Sequence, residues 1–257
     1  MISIDQLAYR SGLRKVSAVE KTAYALMTLV ICVAGRSLEA ALMAFAANGF
    51  LVIRKGKVSL LRYGKMLLMP LVFLILGTGA VIVNISEIPL DAFAIRLGGW
   101  YLTGSRAGIW KGLELGTVAM SAVSSMYFLA VSTPVTDVLR VLRKIRVPSL
   151  FLELMLLIYR FIFVLLGTAE GIMTAQKCRM GNRDLRTGIR SFGMMGSALF
   201  IRSVKRAGAL YDSMEARCYD GEIRVLSRER PVRKKEVLMI GAWEILLVFV
   251  TLWSIMR

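Results

Sequence analysis

Histidine is absent from all 257 residues of this chain. That removes the imidazole, the commonest metal ligand and the usual acid–base group near neutral pH. The three cysteines, Cys32, Cys178 and Cys218, form no C-x-x-C pair, and no disulfide framework is implied; Cys32 suits a small apolar filler. No G-x-x-x-x-G-K-[ST] string occurs, so the chain is not expected to hold ATP by itself. An intramembrane enzyme lacking histidine would need a carboxylate pair or a serine–lysine dyad, and neither stands out. Acidic residues are scarce as well, 17 against 34 Lys and Arg, for a net charge of +17. Fifteen methionines are spread through apolar segments, where packing explains them better than soft-metal binding.

Apolar residues are plentiful. The chain is 56% hydrophobic with mean hydropathy +0.63, too apolar for a soluble domain of this charge. A bilayer core about 30 Å thick takes roughly twenty helical residues at about 1.5 Å each. Five segments read as spans: 22–35, 40–53, 66–85 with Pro70 near its start, 112–131 and 237–256. The first two are short, separated by Arg36, Ser37 and Glu39, and read as a tight helical hairpin or as two helices lengthened by flanking residues that snorkel. Residues 86–106 read as a mixed loop with an interfacial Trp100-Tyr101 pair. The polar first 21 residues do not resemble a cleaved signal peptide.

Lys and Arg concentrate in three places: four in residues 1–21, five in 54–65 and twenty in 133–236. Placing these in the cytoplasm satisfies the positive-inside rule, with the N-terminus cytoplasmic and the C-terminus external. The cations are dispersed over several loops, which argues for a membrane-sorted partner surface and against nucleic acid. Three parts follow: a four-span bundle over 1–132, a cytoplasmic helical block over 133–236 and a last membrane helix over 237–257. Segment 148–173 is apolar but carries Glu153, Arg160 and Glu170, each costing roughly 2.5 to 3.5 kcal/mol at mid-membrane. A sixth crossing there would also put the arginine block outside. A long helix at the cytoplasmic interface, or packed beneath the other spans, is expected instead.

Within the block, Pro148 suits a helix start and Gly181-Asn182 its end, which puts Arg179 in the last turn. A second helix is expected after Ser191 as N-cap, running through Arg217 with Gly221 beyond. Its apolar stripe is Phe192, Met195, Leu199, Ala207, Leu210 and Met214. Gly193, Gly196, Ser197, Ser203, Ala207 and Gly208 are small enough for another helix to cross closely. A helix-end arginine has an ordinary role, worth roughly 0.3 to 1 kcal/mol against the dipole. Two of them, each ending a long amphipathic helix on one membrane side, also suit gripping carboxylates and carbonyls in a partner groove.

The strings Gln176-Lys177-Cys178-Arg179-Met180-Gly181 and Met214-Glu215-Ala216-Arg217-Cys218-Tyr219-Asp220-Gly221 resemble the two Ala-Arg-Gly signatures of the T component of energy-coupling-factor transporters. The similarity is greatest to the cobalt-transport branch, CbiQ, and it spans nearly the whole chain. Supporting strings are Ile4-Asp5-Gln6-Leu7-Ala8-Tyr9, 63–70, and 148–160 with Tyr159-Arg160. The departures are Cys178 for alanine and Met180 and Cys218 for glycine. The resemblance implies an all-α integral membrane protein: about five transmembrane helices plus two long amphipathic cytoplasmic coupling helices. It implies ATPase-coupling roles for Cys178, Arg179, Met180, Glu215, Ala216, Arg217 and Cys218. It also implies a prokaryotic plasma membrane, an ATPase dimer, a separate substrate-binding S component and a small accessory membrane subunit, with no cofactor on this chain. The competing possibility is a permease that lines its own path, with Glu153, Arg160 and Glu244 as candidate intramembrane groups.

Overall fold

In the computed structural model the described residues are 3–86, 93–97, 100–221, 223 and 233–256. They form two compact units, one of Ile2–Val138 with Arg228–Arg257, the other of Leu139–Ser227.

The first unit is a helical bundle. After α1 (Ser3–Arg10) and a 3₁₀ turn (Gly12–Lys15) come α2 (Ala18–Gly35), α3 (Leu38–Phe50), α4 (Leu60–Ile82), α5 (Arg106–Ser132) and, from the far end of the chain, α9 (Lys234–Met256). The short helix α6 (Val135–Lys144) leads out of it. Helix α2 begins four residues before the apolar run because its two charges find partners. Lys21 Nζ donates to the Ser132 carbonyl at 2.7 Å, and Glu20 Oε1 accepts from the Arg233 N–H at 2.9 Å. Arg36 then takes a left-handed conformation (φ 44°), its N–H on the Cys32 carbonyl, and Ser37 caps the next helix through the Ala40 N–H. That is the tight turn the sequence suggests. Helix α3 has only 13 residues but runs straight into a π-helical segment, Leu51–Lys55. Together they make one continuous helical stretch of about 27 Å at the usual rise.

The segment expected as a mixed loop contains a small sheet instead, with β1 (Val83–Ser86), β2 (Phe93–Leu97) and β3 (Trp100–Gly104). Strand β3 is central and antiparallel to both neighbours, with Val83 and Phe93 each opposite Gly104. Branched and aromatic residues in these short runs favour strand, a signal the membrane-loop assignment overlooked.

The bundle core is polar as well as apolar. Tyr24 and Phe128 meet edge to face at 5.1 Å. Tyr24 donates to Asn48 Oδ1 at 3.0 Å, Asn48 Nδ2 to Ser125 at 2.8 Å, and Ser125 to the Ser121 carbonyl. Tyr63 and Ser124 are bonded at 2.8 Å, and Thr28 donates to Glu244 at 2.8 Å. Away from water each such group needs a partner, and here the helices supply them to one another. A methyl at Gly35 would overlap Thr251 Cγ2, which fixes how closely α2 and α9 approach.

The second unit is built on α7 (Ser149–Cys178) and α8 (Leu185–Glu215), 30 and 31 residues long. Among the described residues, α2, α4, α5, α7 and α9 are long and apolar enough to cross a membrane. The sequence reading had α3 in that set and α7 outside it. The fold class is α-helical and multi-pass, with the small sheet as its addition.

Candidate functional site

The two arginine strings end α7 and α8 in the same way. At the end of α7, Met180 is left-handed (φ 60°); its N–H bonds the Lys177 carbonyl at 3.1 Å and the Gly181 N–H bonds the Gln176 carbonyl at 2.8 Å. At the end of α8, Cys218 is left-handed (φ 58°); its N–H bonds Glu215 at 2.9 Å and the Tyr219 N–H bonds Met214 at 3.1 Å. Both are Schellman motifs, which close a helix by bonding its last free carbonyls. In each, the arginine is the residue just before the left-handed one. The family pattern has glycine at that left-handed position, the residue that adopts it without steric cost. Met180 and Cys218 keep the geometry with a side chain in place. Cys178, Arg179, Met180, Glu215, Ala216, Arg217 and Cys218 are all exposed.

The chain between the helices is laced. Gln176 Nε2 donates to the Ser191 carbonyl at 2.8 Å, and the Ser191 hydroxyl donates to the Gly181 carbonyl at 2.7 Å. A Cβ at Gly181 would press on the Gln176 carbonyl and Ser191 Oγ at 2.9 and 3.0 Å. Ser191 is therefore not the N-cap. Helix α8 starts two turns earlier, with Asp184 as N-cap and its carbonyl taking the Gly188 N–H. The cap assignment failed because a serine before an apolar stripe fits a buried clasp equally well.

At the other end Glu153 is buried and holds the exit of α8. Its carboxylate accepts from the Tyr219 hydroxyl at 2.5 Å and from the Ile223 N–H at 3.1 Å. That acceptor, first among the causes, raises the Tyr219 phenol above its ordinary value, with lesser help from desolvation and from the negative charge of Glu153. Contacts of Glu153 with Tyr219 and of Gln176 with Ser191 mean that α7 and α8 run antiparallel. The arginine strings are consequently not brought together. They sit at opposite ends of a hairpin, about 35 Å apart at the helical rise.

Glu153 thus has a structural partner, whereas Arg160 and Glu170 are exposed. Tyr219 and Gln176 lie in the quoted strings, yet no pattern in those strings marks them as clasp residues. The expected stripe on α8 is only partly inward: Met195 is buried, but Phe192 is 71% exposed. Gly193, Gly196 and Gly208 have nothing within 4 Å of a built Cβ, so no described residue crosses α8 closely at them. No three His, Cys, Asp or Glu side chains among the described residues gather as a metal site.

The profile of the family described as cobalt transport protein, CbiQ, matches residues 10–227. The chain is 31% identical over 236 residues to the cobalt transport protein CbiQ of Rhodobacter capsulatus, covering 92% of this chain and 91% of that one. It is 27% identical over 230 residues to CbiQ of Salmonella typhimurium, covering 88% of this chain and all of that one. It is also 35% identical over 222 residues, or 85% of this chain, to a putative fused cobalt transport protein CbiMQ of Methanocorpusculum labreanum, of which it covers 36%.

Proposed function

Because this chain belongs to the CbiQ cobalt transport protein family, we propose that it is the coupling and scaffold subunit of an ATP-driven importer for cobalt ions. It is a multi-pass membrane component of an energy-coupling-factor type transporter; the coupling role is the step proposed. The supporting observation is the matched pair of helix ends. Arg179 and Arg217 each occupy the same position in the same closed motif, exposed, on two different helices of one hairpin. A guanidinium held there presents a planar fork to carboxylates and carbonyls of a docking ATPase, one ATPase per end. Motion of an ATPase dimer then passes through α7 and α8 to a separate substrate-binding membrane subunit. A small accessory membrane subunit completes the proposed assembly.

The distribution of Lys and Arg supports a cytoplasmic N-terminus, an external C-terminus and both arginine ends on the cytoplasmic side. An antiparallel hairpin lying along the membrane plane satisfies that placement.

The test is cobalt uptake together with ATPase pull-down for Arg179→Ala, Arg217→Ala, both together, and each arginine to lysine. Folding should be nearly unchanged, since a helix-end charge contributes at most about 1 kcal/mol. Each single change should weaken docking by about 2 to 5 kcal/mol, the double change should abolish uptake, and lysine should restore only part. A double mutant that expresses normally, holds the ATPase and transports at the wild-type rate ends this proposal.

A further inference from the structure

Away from the arginine ends, α7 and α8 leave two neighbouring hollows between them. One, of about 230 Å³, is lined by Arg160, Phe161 and Val164 of α7 and by Arg206, Ala209 and Leu210 of α8. The other, of about 390 Å³, lies between Leu165 and Thr168 and the cations Arg202, Lys205 and Arg206. Arg206 borders both. Among the described residues no acidic side chain lines either hollow, and Arg160, Arg202, Lys205 and Arg206 have no ion-pair or hydrogen-bond partner. Four like charges gathered around one groove repel one another, and the groove is most stable with an anion in it.

The walls say which anion. The α7 side is aliphatic and aromatic, and much of that helix is uncovered, with Ile158 58%, Ile162 41% and Leu166 40% exposed. A small, purely polar anion gains nothing from such a wall. A lipid phosphate has the matching amphipathic form: charge for the cations, acyl chain for the apolar helix. Arginine grips phosphate through two parallel N–H bonds, while long basic side chains bury their stems and keep their heads at the polar level.

We infer that the groove between α7 and α8 binds an anionic phospholipid, its phosphate held by Arg160, Arg202, Lys205 and Arg206 and its acyl chain on Phe161 and Leu165. The site stands apart from Arg179 and Arg217 and does not depend on their coupling role. Headgroups of this kind are what basic pockets between membrane-associated helices on the cytoplasmic side recognise.

The experiment uses the full chain, purified in mild detergent, delipidated and titrated with phosphatidylglycerol or phosphatidylcholine of identical acyl chains. Native mass spectrometry counts the bound lipids. Phosphatidylglycerol should bind about a hundredfold more tightly than phosphatidylcholine, and Arg202→Gln/Lys205→Gln/Arg206→Gln should lose that preference. Arg186→Gln/Arg190→Gln, on the same helix outside the groove, should keep it. Single changes Arg202→Gln and Lys205→Gln, expected to cost about fivefold each, carry the test if the triple variant unfolds early.

Equal loss in the triple and control variants would reduce the effect to general surface charge and overturn the site. Competition by glycerol phosphate at equal concentration would mark a soluble-anion pocket instead. Absence of any lipid preference, with the triple variant releasing the ATPase, would assign the groove to an acidic protein.

Discussion

The bundle and the hairpin treat polar groups in opposite ways. In the bundle, Asn48, Ser121, Ser124 and Ser125 are fully buried, and the polar side chains bond across helices. In the hairpin, side-chain bonds among the described residues tie its two ends, and large apolar groups stand free: Leu185 is 84% exposed and Phe200 69%. Apolar side chains stand free on the bundle too, with Met69 of α4 82% and Leu238 of α9 76% exposed. The hairpin is shaped by two clasps, and the faces between them are uncovered. Polar contacts between helices run through the core of one region and are confined to the ends of the other.

The sharpest way to break this comparison uses native thiols. Cys178 and Cys218 are exposed, one at each end of the hairpin, while Cys32 is buried in the bundle. A membrane-impermeant maleimide should leave both unlabelled in spheroplasts and label both in inverted vesicles. Labelling of one from each side would mean that α7 crosses the bilayer, and the in-plane hairpin would be lost.

A smaller effect compares the cores. Asn48→Ala strips partners from Tyr24 and Ser125 and leaves a void, costing about 2 to 3 kcal/mol in detergent unfolding. Phe192→Ala, on the hairpin, should stay within about 0.5 kcal/mol. Equal losses would erase the distinction.

The smallest effect has the opposite sign. Met180→Gly and Cys218→Gly place glycine where the backbone is left-handed, and each should stabilise its helix end by about 1 kcal/mol. Slower amide exchange in the last turns of α7 and α8 would register it. Faster exchange would show that the side chains stabilise those ends.

Much of this was legible from residues. Apolar runs located α2, α3, α4, α5 and α9 within about six residues, and Gly181 and Arg217 marked helix ends because end chemistry is local. What failed was decided by contacts remote in the chain. Glu20 and Lys21 looked like a polar prelude until the Arg233 N–H and the Ser132 carbonyl took them up inside α2. Ser191 carried the signature of a cap but closes a clasp with Gly181. Glu153 argued against burial in apolar surroundings, and its partner Tyr219 lies 66 positions away. No local pattern pairs them.

The hairpin's end motifs have a mechanical consequence. Arg179 is fixed to α7 and Arg217 to α8, so the two attachment points of the proposed coupling role belong to different rods joined at their clasps. Helices resist compression, and a Schellman end does not fray under load as an open one does. In that proposed role, drawing the two points together would turn one rod against the other rather than shorten the pair. A linear pull at the tips would become a change of crossing angle, much as the handles of a pair of tongs set the opening of the jaws.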